Sequence, residues 1–340
     1  MTAAQQYTPG PARTPHELNH LLGSAARSRA PHLGPADNEA IVNAAAAAIA
    51  AGDTDPDPAE VAAGLGAATE AVRERAATVF PDSGARPVSW SAFGAVIPVL
   101  AGSAGAGASS ISVAMSDVLQ QAGRCVLLVD ADDPARSGLA CASSVEGPWV
   151  QRVNTQVAIR YSWRADALLA RVETDLPTIT PGMVPVPPDW LPDPAPDPLH
   201  ATVVDLGHGG WRAAATPTYG AGGWLRRGLP AQRPILVVRA TRPSLRQAEQ
   251  VLARMDPWVR RGAATAPVQL VVNGARKWPA GVSGAAGARI TPLLADALFV
   301  PHDRNWELSG ITDDPSPARA ADALRPLLAA WGLVASPRRG

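Results

Sequence analysis

Five short apolar runs, at 95–101, 125–129, 201–204, 235–238 and 268–272, alternate with loop and helix-like sequence. A run that is apolar at successive positions has no solvent face, so each reads as a strand buried on both sides. Buried strands alternating with helices make βαβ units, which build a parallel sheet covered by helices on both faces. The expected fold class is therefore α/β with a mostly parallel sheet. Pro98 interrupts the first run, where a proline withholds one ladder donor. A closing helix is expected over 317–331, packing Leu324, Leu327 and Leu328 on the sheet, with Pro326 as a point of kinking.

The sheet pattern does not begin at the first residue. Residues 1–35 are rich in Pro, Gly and Ser and read as a poorly ordered segment. A small all-α domain is expected over 36–85, with a helix over 37–51, a second opened by Asp57-Pro58-Ala59-Glu60, and a third over 68–80. Its small-residue spacing is that of a helix-turn-helix, yet residues 1–85 hold five Arg against ten Asp and Glu. A DNA-reading helix should be basic, so the sequence favours a domain that docks a protein. The sheet domain then occupies 86–335. Within it, 177–198 holds nine prolines and reads as an extended surface insertion.

Thirty basic residues balance thirty acidic ones, which excludes a globally basic nucleic-acid coat. No signal-peptide start and no membrane-length apolar stretch is visible, so a cytoplasmic protein without stable membrane insertion is expected. Two cysteines, Cys125 and Cys141, are too few for a disulfide framework, and Cys125 reads as a small core residue. Neither zinc-ligand spacing nor a nucleophile elbow is present.

The segment richest in chemistry is Gly102-Ser103-Ala104-Gly105-Ala106-Gly107-Ala108-Ser109-Ser110, directly after the first apolar run. Small residues let main-chain N–H groups curl around a phosphate, and the following helix presents its positive end to the charge. Ser109, at the end of the loop, is placed to ligate magnesium. Asp130 and Asp132 close the next strand, at the edge where open α/β sheets collect ligands.

These residues resemble the ParA/MinD group of deviant P-loop ATPases, whose loop typically reads K-G-G-x-G-K-[ST]-[ST] before a strand ending V-D-x-D. Gly105, Gly107, Ser109 and Ser110 match, as do Val129-Asp130-Ala131-Asp132 and Ser137-Gly138-Leu139. The resemblance implies a P-loop NTPase fold that binds ATP and Mg²⁺. The phosphates would lie on Gly105, Ala106, Gly107, Ala108, Ser109 and Ser110, and the metal near Ser109, Asp130 and Asp205. Asp132 would be the catalytic residue that orients the attacking water. Asp205 ends 200–205, which resembles a Walker B strand; Asn273 and Pro301 would lie near the adenine.

The pattern is degenerate in one respect. Ser103 stands where the signature lysine would be and Ala108 where the loop lysine would be, and Lys277 is the only lysine in the chain. A cation about 4 Å from a phosphate oxygen contributes roughly 4 kcal/mol at an effective dielectric near 20. Losing that much from a transition state costs about a thousandfold in rate. Hydrolysis is therefore expected to be slow or absent unless an arginine such as Arg136 supplies the charge. The loop also resembles the CpaE/TadZ branch, pilus- and secretion-linked localisation factors. What the resemblance implies is a nucleotide-dependent homodimer acting in positioning, partition or assembly. A scaffold that never binds nucleotide and a regulator using the N-terminal helices remain as alternatives. Nine arginines between 226 and 261, among them Arg242, Arg246 and Arg254, offer a surface for nonspecific DNA contact.

Overall fold

The computed structural model describes residues 90–192, 198–217, 219–229 and 231–335, and the expected segment 1–35 and helical domain 36–85 lie outside them. Nine strands form one sheet in the order β3-β4-β5-β2-β6-β1-β7-β8-β9. In chain order these are β1 Ala95–Ala101, β2 Val126–Asp130, β3 Val145–Arg152, β4 Val157–Arg164, β5 Ala167–Thr174, β6 Ala201–Gly207, β7 Ile235–Arg239, β8 Gln269–Asn273 and β9 Leu298–Val300. The helices are α1 Ala108–Gln121, α2 Arg242–Arg260, α3 Arg304–Ser309 and α4 Ala318–Ala330. From β5 to β9 every neighbouring pair is parallel; β3, β4 and β5 are antiparallel.

Both faces of the sheet are covered, as a parallel sheet requires. Successive side chains of β1 alternate between two cores: Val96 and Leu100 face the side of Leu245, Leu252 and Met255 of α2. Ile97 and Val99 face Ile111 and Met115 of α1 and Leu324 and Leu328 of α4. α4 runs through Pro326 as one helix. Pro98 is tolerated because of where its missing N–H would point. Val96 O accepts from Arg233 N and Gly102 N donates to Val237 O, so the even residues of β1 turn towards β7. Pairing with β7 starts only at Val99 opposite Ile235, so the lost bond falls at the margin of that ladder.

Three expectations need correction. The antiparallel β3–β4–β5 meander extends one edge of the sheet, where no strands were expected. The proline-rich stretch is not merely surface: Ile179, Val184 and Trp190 are buried in the core, and Trp190 Nε1 donates to Pro185 O at 3.0 Å. Frequent prolines limit regular structure among the described residues there to a 3-10 turn, Pro187–Trp190, but leave the side chains between them free to pack. Cys125 is exposed, because β2 begins one residue later than the apolar run suggested.

Candidate functional site

The loop after β1 emerges between β6 and β7 at the carboxyl edge of the sheet, where the connections diverge and leave a crevice. Gly105 and Gly107 take positive φ, 67° and 94°, which L side chains rarely adopt. At Gly107 the approach is also close, since a Cβ would lie 2.1 Å from Asn273 Nδ2. That amide donates to Ala106 O at 3.0 Å, tying the end of β8 to the loop. α1 begins at Ala108 without a side-chain cap, and Ile111 N donates to Gly107 O. The preceding N–H groups therefore have no helical acceptor.

These groups open into a cleft of roughly 1040 Å³. Gly105, Ala106, Gly107, Ala108, Ser109, Ser110, Asp132, Asn273 and Pro301 all line it, so residues chosen on motif grounds are brought to one place. Arg136, His208 and Arg239 share the wall. His208 is half-buried there, its Nδ1 3.3 Å from Ala101 O.

Asp130 and Asp205 do not themselves line the cleft; they are direct partners across β2 and β6. Asp130 Oδ2 accepts from Ser137 Oγ at 2.6 Å, and Asp205 Oδ1 accepts from Gly207 N at 3.0 Å. The other oxygen of each, Asp130 Oδ1 and Asp205 Oδ2, is buried without a hydrogen-bond partner. Burial pushes the Asp130 carboxyl up to about 8, and the Asp205 charge beside it adds to the shift. Burial likewise pushes Asp205 up to about 7, with the Ser109 hydroxyl opposing and Asp132 adding. Asp132 is raised by burial too, against the pull of the Asp133 N–H, Arg136 and His208. Its carboxylate lies directly over the main chain of Gly207, where a Cβ would come within 1.7 Å of Oδ2.

Two buried carboxylates opposite each other on neighbouring strands, one of them within reach of the Ser109 hydroxyl, suit a hard divalent cation. Among the described residues no group of three or more His, Cys, Asp or Glu is arranged to hold a metal. The donor set fits Mg²⁺ with a nucleotide better than a protein-only metal cage.

The positions of the absent lysines are filled structurally. Ala108 is buried against the core on the α1 face. Ser103 Oγ is 2.7 Å from Ser244 Oγ, which also accepts from Arg239 N at 2.9 Å. Arg239 Nε in turn donates to Gly105 O at 3.0 Å. Arg239 was visible in the sequence only as one arginine among nine. Its place at the carboxyl end of a buried strand, level with the loop, is the signal that could have singled it out. The three arginines expected to meet DNA lie elsewhere: Arg242, Arg246 and Arg254 are exposed on α2 and do not line the cleft.

No protein-family model matches the chain, and no curated protein matches its sequence. In structure it is similar to a ParA family ATPase from Chlorobium tepidum, at 15% identity over 68% of this chain and 98% of that one, with a TM-score of 0.42. It is similar to the MinC:MinD cell division protein complex of Aquifex aeolicus, at 15% identity over 72% and 99%, with a TM-score of 0.43. A nucleotide-binding protein from Archaeoglobus fulgidus in complex with ADP is similar at 15% identity over 67% and 91%, with a TM-score of 0.41. The likeness is to ParA/MinD-type ATPases, and it is one of fold.

Proposed function

We propose that this chain is a nucleotide-binding positioning or partition factor that holds ATP with Mg²⁺ and hydrolyses it slowly or not at all. The observation that carries the reading is the loop over two buried carboxylates, each with an unpartnered oxygen aligned at the end of adjacent strands. The amides of Gly105 and of Gly107 to Ser110 bind the phosphates, while Ala106 N is held by Ser103 O at 3.2 Å, and the α1 terminus favours the negative charge. Ser109, Asp130 and Asp205 hold the metal side of the site. A magnesium ion supplies charge screening for the phosphates. Asp132 orients water, and Arg136 sits close enough to offset its charge. Asn273 and Pro301 border the part of the cleft that takes the base. Without an ammonium group to stabilise the leaving phosphates, the bound state outlasts the chemistry, which suits an assembly switch. Nucleotide bridging two copies into a homodimer is the corresponding on-state, and the N-terminal residues 36–85 are the docking element for a protein partner. Among the described residues no helix is long and apolar enough to cross a membrane.

Calorimetric titration with Mg-ATP, followed by a turnover assay, tests this directly. Micromolar binding with negligible phosphate release is the expected result. No binding at millimolar ATP leaves the scaffold reading in its place.

DNA contact through α2 has one supporting observation. Of the two acids on that helix, Glu249 is held by Arg289 from outside the patch, while Asp256 is shared between Arg289 and the patch's own Arg260. Arg254 stacks over Trp211 at 5.2 Å, Arg242 Nε donates to Gly281 O at 3.2 Å, and both residues are exposed. Changing Arg242, Arg246 and Arg254 together to Ala is expected to abolish retention of unrelated duplexes in gel shifts. It should also flatten the salt dependence by roughly three phosphate contacts. Unchanged retention removes the patch from the account.

A further inference from the structure

We infer that Arg239 is the cation that serves the phosphates in place of the two absent loop lysines. The inference rests on the nucleotide-binding reading above and adds a residue to it. Arg239 ends β7, the strand beside β1, so its side chain starts level with the loop. Its main-chain N–H is held by Ser244 Oγ at 2.9 Å, and Ser244 is itself bonded to Ser103. The serine that replaces the signature lysine thus anchors the strand end from which Arg239 projects.

The side chain reaches back over the loop, and Nε donates to Gly105 O at 3.0 Å. That bond does two things. It occupies a carbonyl that would repel a phosphate, and it fixes a long side chain whose remaining guanidinium donors stay in the cleft. Among the described residues Arg239 forms no ion pair, and it is exposed to the cleft. Arg136, the other guanidinium on the wall, acts on Asp132, so part of its charge is already answered. A single unpaired guanidinium, pinned to the loop by one N–H and offering the rest, is a phosphate-binding arrangement.

The test is calorimetry on the full chain with Mg-ATP and, separately, adenosine. Wild type should bind ATP. Arg239→Ala is expected to lose about 10–100-fold in ATP affinity, as for one or two charge-assisted hydrogen bonds, and nothing in adenosine affinity. Arg239→Lys should recover part of the loss, and Arg319→Ala, at an exposed arginine outside the cleft, should match wild type. Should Arg239→Ala unfold, Arg239→Gln against Arg239→Lys separates charge from packing, because both can still donate to Gly105 O. Equal ATP affinity in wild type and the charge-free variant overturns the inference and leaves the nucleotide site intact. Equal losses for ATP and adenosine also overturn it, by making Arg239 a structural strut. A wild type that binds neither ligand removes the nucleotide reading itself, and this inference with it.

Discussion

Replacing Arg164 by alanine is expected to cost the fold about 3–5 kcal/mol, a large share of a typical total of about 5–15 kcal/mol. Arg164 ends β4 and is 1% exposed, so its charge has left water almost completely. All five of its N–H donors are used. Nε and Nη2 hold Asp117 Oδ1 and Oδ2 at 2.8 and 2.9 Å, a bidentate pair with α1. Nη1 donates to Ala142 O and Thr312 O, and Nη2 also donates to Asp314 O. One side chain therefore joins the meander, α1 and the segment before α4. Truncation leaves the Asp117 charge buried beside Ser316 and Gln120 without a countercharge, and strips three carbonyls of a donor. Urea unfolding of the variant should show the loss as a lower midpoint at unchanged slope. The double change Arg164→Met with Asp117→Leu removes both charges and should cost far less than the single. A single variant within about 1 kcal/mol of wild type would show that water reaches the pair, and the burial argument would be wrong.

That pair also marks the limit of what the sequence discloses. The parallel half of the sheet is readable because its strands are apolar on both faces, and β1 falls on the expected 95–101. The helix from the loop to Gln121 is readable because its apolar residues repeat at helical spacing up to Gly123. β4 had its own signal, Val157, Ile159, Tyr161 and Trp163 at alternate positions, masked by Arg160 among them and Arg164 after them. Nothing local distinguishes buried Arg164 from half-buried Arg160, since the difference is made by Asp117, forty-seven residues from Arg164. At the cleft the motif residues were legible by type and spacing. The exchange of a lysine for a Ser103–Ser244 bond and a borrowed arginine was not, because it depends on which strand end lies beside the loop. The same holds for Trp190, where composition spoke for the surface and packing decided for the core.

The second large effect is a dependence of stability on pH and on divalent metal, set by Asp130 and Asp205. Both carboxyls are raised in the folded protein, to about 8 and about 7, from an ordinary value of 3.8. The folded state therefore binds more protons than the unfolded state between those limits. Stability is fully present below the ordinary carboxylate range and is lost as pH rises towards 8, at up to about 1.4 kcal/mol per pH unit for each group. The two charges face each other across adjacent strands, so they titrate as a pair, and the first proton to leave costs less than the second. A cation that takes the two orphaned oxygens reverses the balance, because it stabilises the ionised form. Thermal unfolding of the metal-free protein should accordingly fall in midpoint from pH 5 to pH 8, and added Mg²⁺ with ATP should restore it most at pH 8. Asp205→Asn keeps an acceptor for Gly207 N while removing one charge. It should raise the metal-free midpoint at pH 8, flatten the pH profile and abolish the rescue by Mg-ATP. A wild-type profile in which the metal-free midpoint climbs between pH 5 and pH 8 would mean that water already solvates these carboxylates, and the case for a metal between Ser109 and Asp205 would lose its physical basis.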